Sequence, residues 1–201
     1  LPVANMDLRP TGHGMKHALL VIDMQQGSFT DQAPKLDASG LVDRLNILAD
    51  AVRRANGLVI FIQHDGPPGD PHHPDLPGWR LLTDLTVRKG DTTIRKRSCD
   101  AFLGTGLDEF LRSHAIERLI VTGSATDYCV DTTVRSALAR SYPTIVPVDG
   151  HTTSDRPHLP AEKIIEHHNA IWSDFIAPAG PATICRCSEI RLVESEPATG
   201  R

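Results

Sequence analysis

Residues 121–130, VTGSATDYCV, begin as an apolar strand pattern and pass through small residues into an amphipathic helical pattern. This order predicts that Cys129 lies in the first turn of a helix. Backbone N–H groups and the helix dipole there favour a thiolate, the form of cysteine that attacks carbonyl carbon. The same N–H groups are suited to bind an oxyanion. Alternatively, Cys129 is a small buried apolar residue, as most unpaired cysteines are. Its position alone leaves both interpretations open.

Other apolar runs of strand length lie at residues 18–22, 58–62, 119–121 and 145–148. They are rich in Val, Ile and Leu and mostly do not alternate with polar residues, which is typical of strands buried on both faces of a parallel sheet. Weaker candidates at residues 92–95 and 183–187 bring the predicted total to six strands.

Helical patterns separate these strands. Apolar residues recur at helical spacing within residues 41–52, 130–138 and 164–175, and a shorter pattern covers residues 107–111. Right-handed crossovers between parallel strands place such helices on both faces of the sheet. The sequence therefore predicts an α/β fold, a three-layer α/β/α sandwich.

Size and charge indicate one domain that acts on a small molecule. The chain has 201 residues, of which 40% are hydrophobic, enough for one sizeable core. We expect a single domain over residues 16–193, a loose arm over residues 1–15 and a frayed tail over residues 194–201. The formal charge is -4, and Lys and Arg are scattered among acidic residues. We therefore expect a small-molecule substrate and no binding to nucleic acid or membrane.

Cellular context follows from two absences in the sequence. No apolar stretch approaches the roughly 20 residues of a bilayer-spanning helix, and the start of the chain lacks the pattern of a secretory leader. The four cysteines do not follow a CxxC metal-binding spacing. We expect a cytoplasmic protein with reduced thiols.

Two charged residues are candidates to assist Cys129. A thiol nucleophile needs a group that takes its proton and later returns it to the leaving group. Asp23 ends the first apolar run, and ligands of open α/β sheets bind beyond the carboxyl ends of strands. A helix cap or turn carboxylate is the alternative for Asp23. Lys96 follows the weak third strand, but nothing physical in the sequence distinguishes it from Arg95 or Arg97.

Three segments together resemble the signatures of isochorismatase-like cysteine hydrolases. They are LVIDMQ at residues 20–25, Lys96 six residues before Phe102 in an SCDAF context, and GSATDYCV at residues 123–130. They occur in the order found in that family, and the similarity extends over about residues 16–191. One such match is weak evidence, whereas three in register are strong.

The resemblance implies a fold and a site. The implied sheet is a six-stranded parallel sheet in the order 3-2-1-4-5-6. Cys129 is the implied nucleophile, Asp23 its proton-transfer partner and Lys96 the supporting cation. A cis peptide bond is implied between Ser124 and Ala125, with the N–H groups of Ala125 and Cys129 forming an oxyanion hole.

Five further side chains are candidates to line the substrate pocket: Gln25, Phe29, His64, Trp79 and Tyr128. Because family members commonly associate, we also expect a homo-oligomer. The Pro-rich segment of residues 65–78, which lacks periodicity, is a candidate interface.

Metal binding is the main alternative for the histidines. Nicotinamidase-type members carry an Asp-x-His metal signature just after the second strand, but residues 62–66 here read IQHDG. We therefore expect no metal and no other cofactor. His64, Asp65, His72 and His73 are suitable ligand types for zinc or iron and form the alternative. A histidine-rich surface loop is the simpler interpretation.

The predicted reaction is hydrolysis of a C–N bond in an amide, cyclic amide or carbamoyl group through an acyl-cysteine intermediate. The sequence most resembles the metal-free amide hydrolases of the family, such as streptothricin hydrolase. Vinyl-ether hydrolysis of the isochorismatase type is one alternative, although some of the enzymes that catalyse it lack the cysteine. A catalytically silent binding protein of the same fold is the other.

Overall fold

The computed structural model describes residues 15–193, and within them the chain forms a parallel sheet covered by helices. The strands are β1 (His17–Ile22), β2 (Leu58–His64), β3 (Thr92–Lys96), β4 (Arg118–Ser124), β5 (Thr144–Pro147), β6 (His151–Thr152) and β7 (Thr183–Cys185). The α-helices are α1 (Ala38–Arg54), α2 (Leu107–Ser113), α3 (Asp131–Ala139) and α4 (Ala161–Ser173).

The strand order β3-β2-β1-β4-β5-β7, with every pair parallel, confirms the predicted fold class and order. Strand β6, which has only two residues and pairs with the end of β4, was not predicted. A strand this short has no apolar run to mark it. The sixth strand of the prediction is therefore β7 in the structure.

Apolar side chains project from both faces of the sheet, which explains why the strands do not alternate between apolar and polar residues. Leu19 and Val21 of β1 lie in one apolar cluster with the buried face of α1. Leu20 and Ile22 of the same strand lie in a second cluster with apolar residues of α2, α3 and α4. Each helix layer therefore buries one side of the same strands, as in a three-layer sandwich.

The strand register brings the predicted site to one edge of the sheet. Ile22 pairs with Gly123 near the end of β4 and with Ile62 of β2, so Asp23 follows β1 beside the end of β4. Lys96 is the last residue of β3. The carboxyl ends of β1 and β4 flank the point where the strand order reverses, the usual ligand site of open α/β sheets, and Lys96 ends β3 at the same edge of the sheet.

The predicted arm, apart from Met15, and the predicted tail lie outside the described residues. Among residues 15–193, every helix is too short or too polar to cross a bilayer.

Candidate active site

The side chains of Asp23, Lys96 and Cys129 meet at the carboxyl edge of the sheet. Lys96 Nζ donates to Asp23 Oδ2 at 2.7 Å and to Cys129 Sγ at 3.2 Å. It donates at 2.9 Å to the carbonyl oxygen of Ser98 as well. Because an ammonium group has three donors, these contacts use all of its hydrogen-bonding capacity.

Lys96 is a buried cation. Its side chain is 0% exposed, and that of Asp23 is 8% exposed. Burial alone would lower the pKa of Lys96, but its interactions with Asp23 and, next, with Cys129 outweigh burial and raise it. The site therefore keeps a positive charge next to the sulfur, where water does not screen it.

Asp23 follows β1 in the left-handed region, at a φ of 47°, which Asp tolerates better than most residues. Its backbone N–H still donates to the carbonyl oxygen of Ile62 at 2.9 Å. One carboxylate oxygen contacts Lys96, whereas the other, Oδ1, is buried and has no hydrogen-bond partner among residues 15–193. A buried acceptor without a partner costs free energy, so its presence calls for an explanation. Receiving a proton during catalysis is one such explanation.

Cys129 lies in the first helical turn after β4, as predicted, but this turn is π-helical rather than α-helical. Residues Thr126–Val130 form a π-helical turn, and α3 begins only at Asp131. The N–H of Val130 donates at 3.1 Å to the carbonyl oxygen of Ala125, which is five residues earlier. The regular α-helix therefore starts two residues after Cys129 and continues the π-helical turn without a break.

The position of Cys129 at a helix start was expected to favour a thiolate, but its surroundings raise the thiol pKa instead. Burial raises the pKa of Cys129, and the Asp23 carboxylate raises it further, although Lys96 opposes both. The raised pKa keeps the thiol protonated in the resting site, and a thiolate forms when Asp23 takes the proton.

The peptide bond between Ser124 and Ala125 is cis, where the resemblance placed it. Both residues line the cleft together with Cys129. The two backbone N–H groups assigned to an oxyanion hole, those of Ala125 and Cys129, thus belong to residues at the cleft wall.

The cleft above Cys129 has a volume of about 570 Å³. Its lining residues are Asp23, Ser28, Lys35, His64, Asp70, His72, Cys99, Ser124, Ala125, Tyr128 and Cys129. His64 and Tyr128 were predicted. Burial, and next the charge of Lys96, lower the pKa of His64, so its ring is neutral at the cleft wall. The Tyr128 side chain is 54% exposed, and the Arg156 guanidinium covers its ring at 5.0 Å.

Three predicted pocket residues, Gln25, Phe29 and Trp79, do not line the cleft. Gln25 is 0% exposed, and its side-chain amide bonds the backbone of His64 and the carbonyl oxygen of Trp79. Phe29 packs against the apolar cluster on the α1 side of the sheet. Trp79 donates to Asp65 at 2.9 Å and lies under the Arg95 guanidinium. Their role is to hold the loops around the cleft.

Four cleft residues were not predicted, namely Ser28, Lys35, Asp70 and Cys99, and His72 was predicted only as an alternative metal ligand. All five lie in segments that lack hydrophobic periodicity, so the sequence gives no face on which to place them. The one local signal is that Asp70 and His72 are two residues apart, a spacing that allows a side-chain contact.

The candidate metal ligands do not converge. Asp65 accepts hydrogen bonds from Arg95 and Trp79, and His72 bonds Asp70 and Ser28. His73 lies on the wall of a neighbouring cavity. Within residues 15–193, no three His, Cys, Asp or Glu side chains come together as metal ligands. The donor arrangement of this loop therefore does not support the metal alternative.

Comparisons with known proteins agree on one family. The family model described as Isochorismatase domain matches residues 17–170. Streptothricin hydrolase of Streptomyces noursei is 34% identical over 143 residues, covering 71% of this chain and 52% of that protein. Ureidoacrylate amidohydrolase RutB of Klebsiella pneumoniae is 31% identical over 162 residues, covering 62% of this chain and 68% of that protein.

A solved structure supports the same relationship. The crystal structure of an isochorismatase family protein superposes with a TM-score of 0.77 at 30% identity, covering 84% of this chain and 96% of that one. The chain spans about half the length of the streptothricin hydrolase that it matches.

Proposed function

Because the chain belongs to the isochorismatase family, we propose that it is a cysteine hydrolase that cleaves a C–N bond of a small molecule. The observation that carries this proposal is the double contact of Lys96 Nζ, at 2.7 Å to Asp23 Oδ2 and 3.2 Å to Cys129 Sγ. A base, a nucleophile and a buried cation in direct contact are the parts that covalent hydrolysis requires.

In the first step, Cys129 Sγ attacks the acyl carbon while its proton passes to Asp23. The unpartnered Oδ1 atom of Asp23 is the acceptor available for that proton. Lys96 stabilises the negative charge as it moves from the carboxylate to the sulfur and the substrate.

The tetrahedral intermediate carries its negative charge on the former carbonyl oxygen. We assign the N–H groups of Ala125 and Cys129 as the donors to that oxygen. When the intermediate collapses, the C–N bond breaks and Asp23 returns the proton to the leaving nitrogen. Asp23 then deprotonates a water molecule that attacks the acyl-cysteine, which releases the acid and restores the thiol.

We propose an amide, cyclic amide or carbamoyl compound as the substrate. The names of two relatives, streptothricin hydrolase and ureidoacrylate amidohydrolase, support hydrolysis of C–N bonds. A cleft of about 570 Å³ is in the size range of sites for small molecules.

The test is turnover of a panel of small amides, lactams and carbamoyl compounds, with isochorismate included. Cys129→Ala should lower amide turnover by several orders of magnitude, because it removes the thiol that contacts Lys96. Cys187→Ala, which removes a half-buried thiol outside the cleft, is the matched control and should stay close to wild type.

Two other outcomes would overturn the proposal. Turnover of isochorismate by Cys129→Ala at the wild-type rate, without turnover of any amide, would indicate vinyl-ether hydrolysis, which needs proton delivery but no nucleophile. Binding of panel compounds by wild-type protein without turnover of any of them would indicate a silent binding protein.

A further inference from the structure

Ser28, His72 and Asp70 form a second chain of hydrogen bonds in the same cleft. Ser28 Oγ lies 2.8 Å from His72 Nε2, and His72 Nδ1 lies 2.9 Å from Asp70 Oδ1. All three residues line the cleft that contains Cys129. The mechanism proposed above uses none of them.

The hydrogen bonds fix the tautomer of His72. Asp70 also accepts the backbone N–H of His72 at 2.7 Å, and this bond is the main cause of a lowered Asp70 pKa. The carboxylate is therefore ionised at neutral pH and can only accept, so His72 Nδ1 carries the hydrogen. His72 Nε2 is then the acceptor, and the Ser28 hydroxyl donates to it.

Two glycines make room for this arrangement. A Cβ atom at Gly27 would lie 3.2 Å from His72 Nε2 and 3.1 Å from Pro71 Cβ. A Cβ atom at Gly78 would collide with the carbonyl oxygen of Pro71. Because neither glycine has a side chain, the loop that carries His72 packs directly on the turn that carries Ser28. Gly27→Ala should therefore displace the His72 ring.

We propose that Ser28, His72 and Asp70 form a second nucleophilic centre that hydrolyses small acyl esters. A hydroxyl that donates to a histidine, which in turn donates to a carboxylate, is the arrangement that activates serine in hydrolases on several unrelated folds. Both contacts, at 2.8 and 2.9 Å, fall within the range of about 2.6–3.2 Å that such nucleophiles show.

The reaction balances without any further reagent. Ser28 Oγ bonds to the acyl carbon, and His72 Nε2 takes the hydroxyl proton. The ester C–O bond breaks, and His72 returns the proton to the leaving alkoxide. Water then attacks the acyl-serine, again losing a proton to His72, which releases the acid and restores the Ser28 hydroxyl. Asp70 accepts from His72 throughout and stabilises the imidazolium.

Lys35 is the cation in the cleft that is suited to the oxyanion of this reaction. Its ammonium group donates to Ser154 Oγ at 3.1 Å. Since an ammonium group has three donors, it can also donate to a ligand in the cleft that it lines. Esters are the expected substrates because an alkoxide leaves more easily than an amide nitrogen.

Labelling with diisopropyl fluorophosphate tests this centre independently of the cysteine. In Cys129→Ala, Ser28 Oγ should displace fluoride from phosphorus, and peptide mapping should place the diisopropylphosphoryl group on Ser28. His72→Gln should label at least about 100-fold more slowly because it lacks the base. Ser113→Ala, which alters an exposed serine of α2, is the control and should label at the parent rate.

Turnover of p-nitrophenyl acetate gives a second measurement. Cys129→Ala should retain hydrolysis, and adding Ser28→Ala should abolish it, with circular dichroism confirming that both variants are folded. The absence of a Ser28 adduct in folded Cys129→Ala would overturn the proposal, and so would equal labelling of folded His72→Gln. Either result would leave Cys129 chemistry on amides unaffected, because those reactions do not involve Ser28.

Discussion

Asp23 and Cys129 compete for one proton beside a buried cation. Burial and the Asp23 carboxylate raise the pKa of Cys129, and Lys96 only partly offsets them. The resting site therefore contains a neutral thiol beside a buried ammonium group. The nucleophile forms only when Asp23 accepts the thiol proton, so both groups must change charge in the same step.

The pH dependence of alkylation tests this proton arrangement. A raised pKa keeps Cys129 protonated at neutral pH, so its reaction with iodoacetamide should accelerate only above the ordinary thiol value of about 8.5. Asp23→Asn removes a charge that raises the pKa and should increase alkylation at pH 7.5 by at least about tenfold, the equivalent of one pKa unit. Amide turnover should fall in the same variant.

The experiment is best done in a Cys99→Ser background, because Cys99 is an exposed thiol in the same cleft. Rates are followed by mass spectrometry of the peptide that contains Cys129. Identical pH profiles with and without the Asp23→Asn substitution would contradict the arrangement.

The ion pair between Lys96 and Asp23 should also affect the free energy of unfolding. Lys96→Met leaves the Asp23 carboxylate buried without its cation, and breaking a buried pair typically costs about 3–5 kcal/mol of unfolding free energy. Adding Asp23→Asn removes the uncompensated charge, so the double variant should lose less than the sum of the single losses. Urea unfolding of the four proteins measures this, and strictly additive losses would argue against a coupled pair.

A buried histidine, His151, forms a hydrogen bond with the first residue of the π-helical turn Thr126–Val130. His151 Nδ1 lies 2.9 Å from Thr126 Oγ1, and His151 Nε2 lies 3.1 Å from Asn169 Oδ1. The amide oxygen only accepts, so Nε2 carries the hydrogen and Nδ1 accepts from Thr126. In this way α4 and β6 fix the start of the turn that carries Cys129.

This histidine should make stability depend on pH. Burial lowers the pKa of His151 from 6.5 to about 4. Between these values the unfolded chain binds a proton that the folded chain does not, so stability rises with pH across this window. Acidification from pH 6.5 to 4 should remove roughly 3 kcal/mol through this group, at about 1.4 kcal/mol per pKa unit. Urea unfolding of His151→Gln should show a correspondingly weaker pH dependence.

If the wild type and His151→Gln lose stability equally over that window, the histidine is not buried in its neutral form.

The elements that the sequence predicted are those with a long apolar pattern. These patterns are clear because each element buries a whole face. They are the apolar runs of β1, β2, β4 and β5 and the helical spacing within α1 and α4. The turn at Thr126–Val130 was predicted as α-helix, since the apolar spacing of α3 continues back to Val130 and an inserted residue leaves no compositional mark. A two-residue strand such as β6 gives no pattern at all.

Asp23, Lys96 and Cys129 of the candidate site were predicted before the structure, and the family resemblance contributed more to that prediction than the residues alone did. Lys96 was indistinguishable from Arg95 by charge and position. In the structure Lys96 is 1% exposed, whereas the Arg95 side chain is half exposed and pairs with Asp65. Which cation points into the cleft depends on strand register, and this information is not local in the sequence.

The sheet topology brings the candidate catalytic residues to one edge of the sheet, and a long loop borders the cleft there. Residues 65–78 fold back over the turn after β1 and contribute Asp70 and His72 to the cleft wall. The same loop turns Pro67, Pro68 and Leu76 outward. One face of the loop therefore belongs to the cleft, and the other is available for contact with a second chain.

We propose that the outer face of this loop contributes to a homo-oligomer. Leu76 is 41% exposed, and Leu76→Asp would place a charge in such an interface. Light scattering should show the wild type as an oligomer at micromolar concentration and Leu76→Asp shifted towards the monomer. Ile47→Asp, at a 71% exposed apolar position on α1, is the matched control. A monomeric wild type would refute the oligomer.

Acyl-cysteine chemistry is tested most directly by the mass of the whole protein, quenched with acid within the first turnover of an amide substrate. We predict an increase equal to the acyl group of the substrate, mapped to the peptide that contains Cys129, which decays as deacylation proceeds. Cys129→Ala should show neither the adduct nor amide turnover. Amide turnover by Cys129→Ala at the wild-type rate, with no adduct on the wild-type protein, would contradict the account.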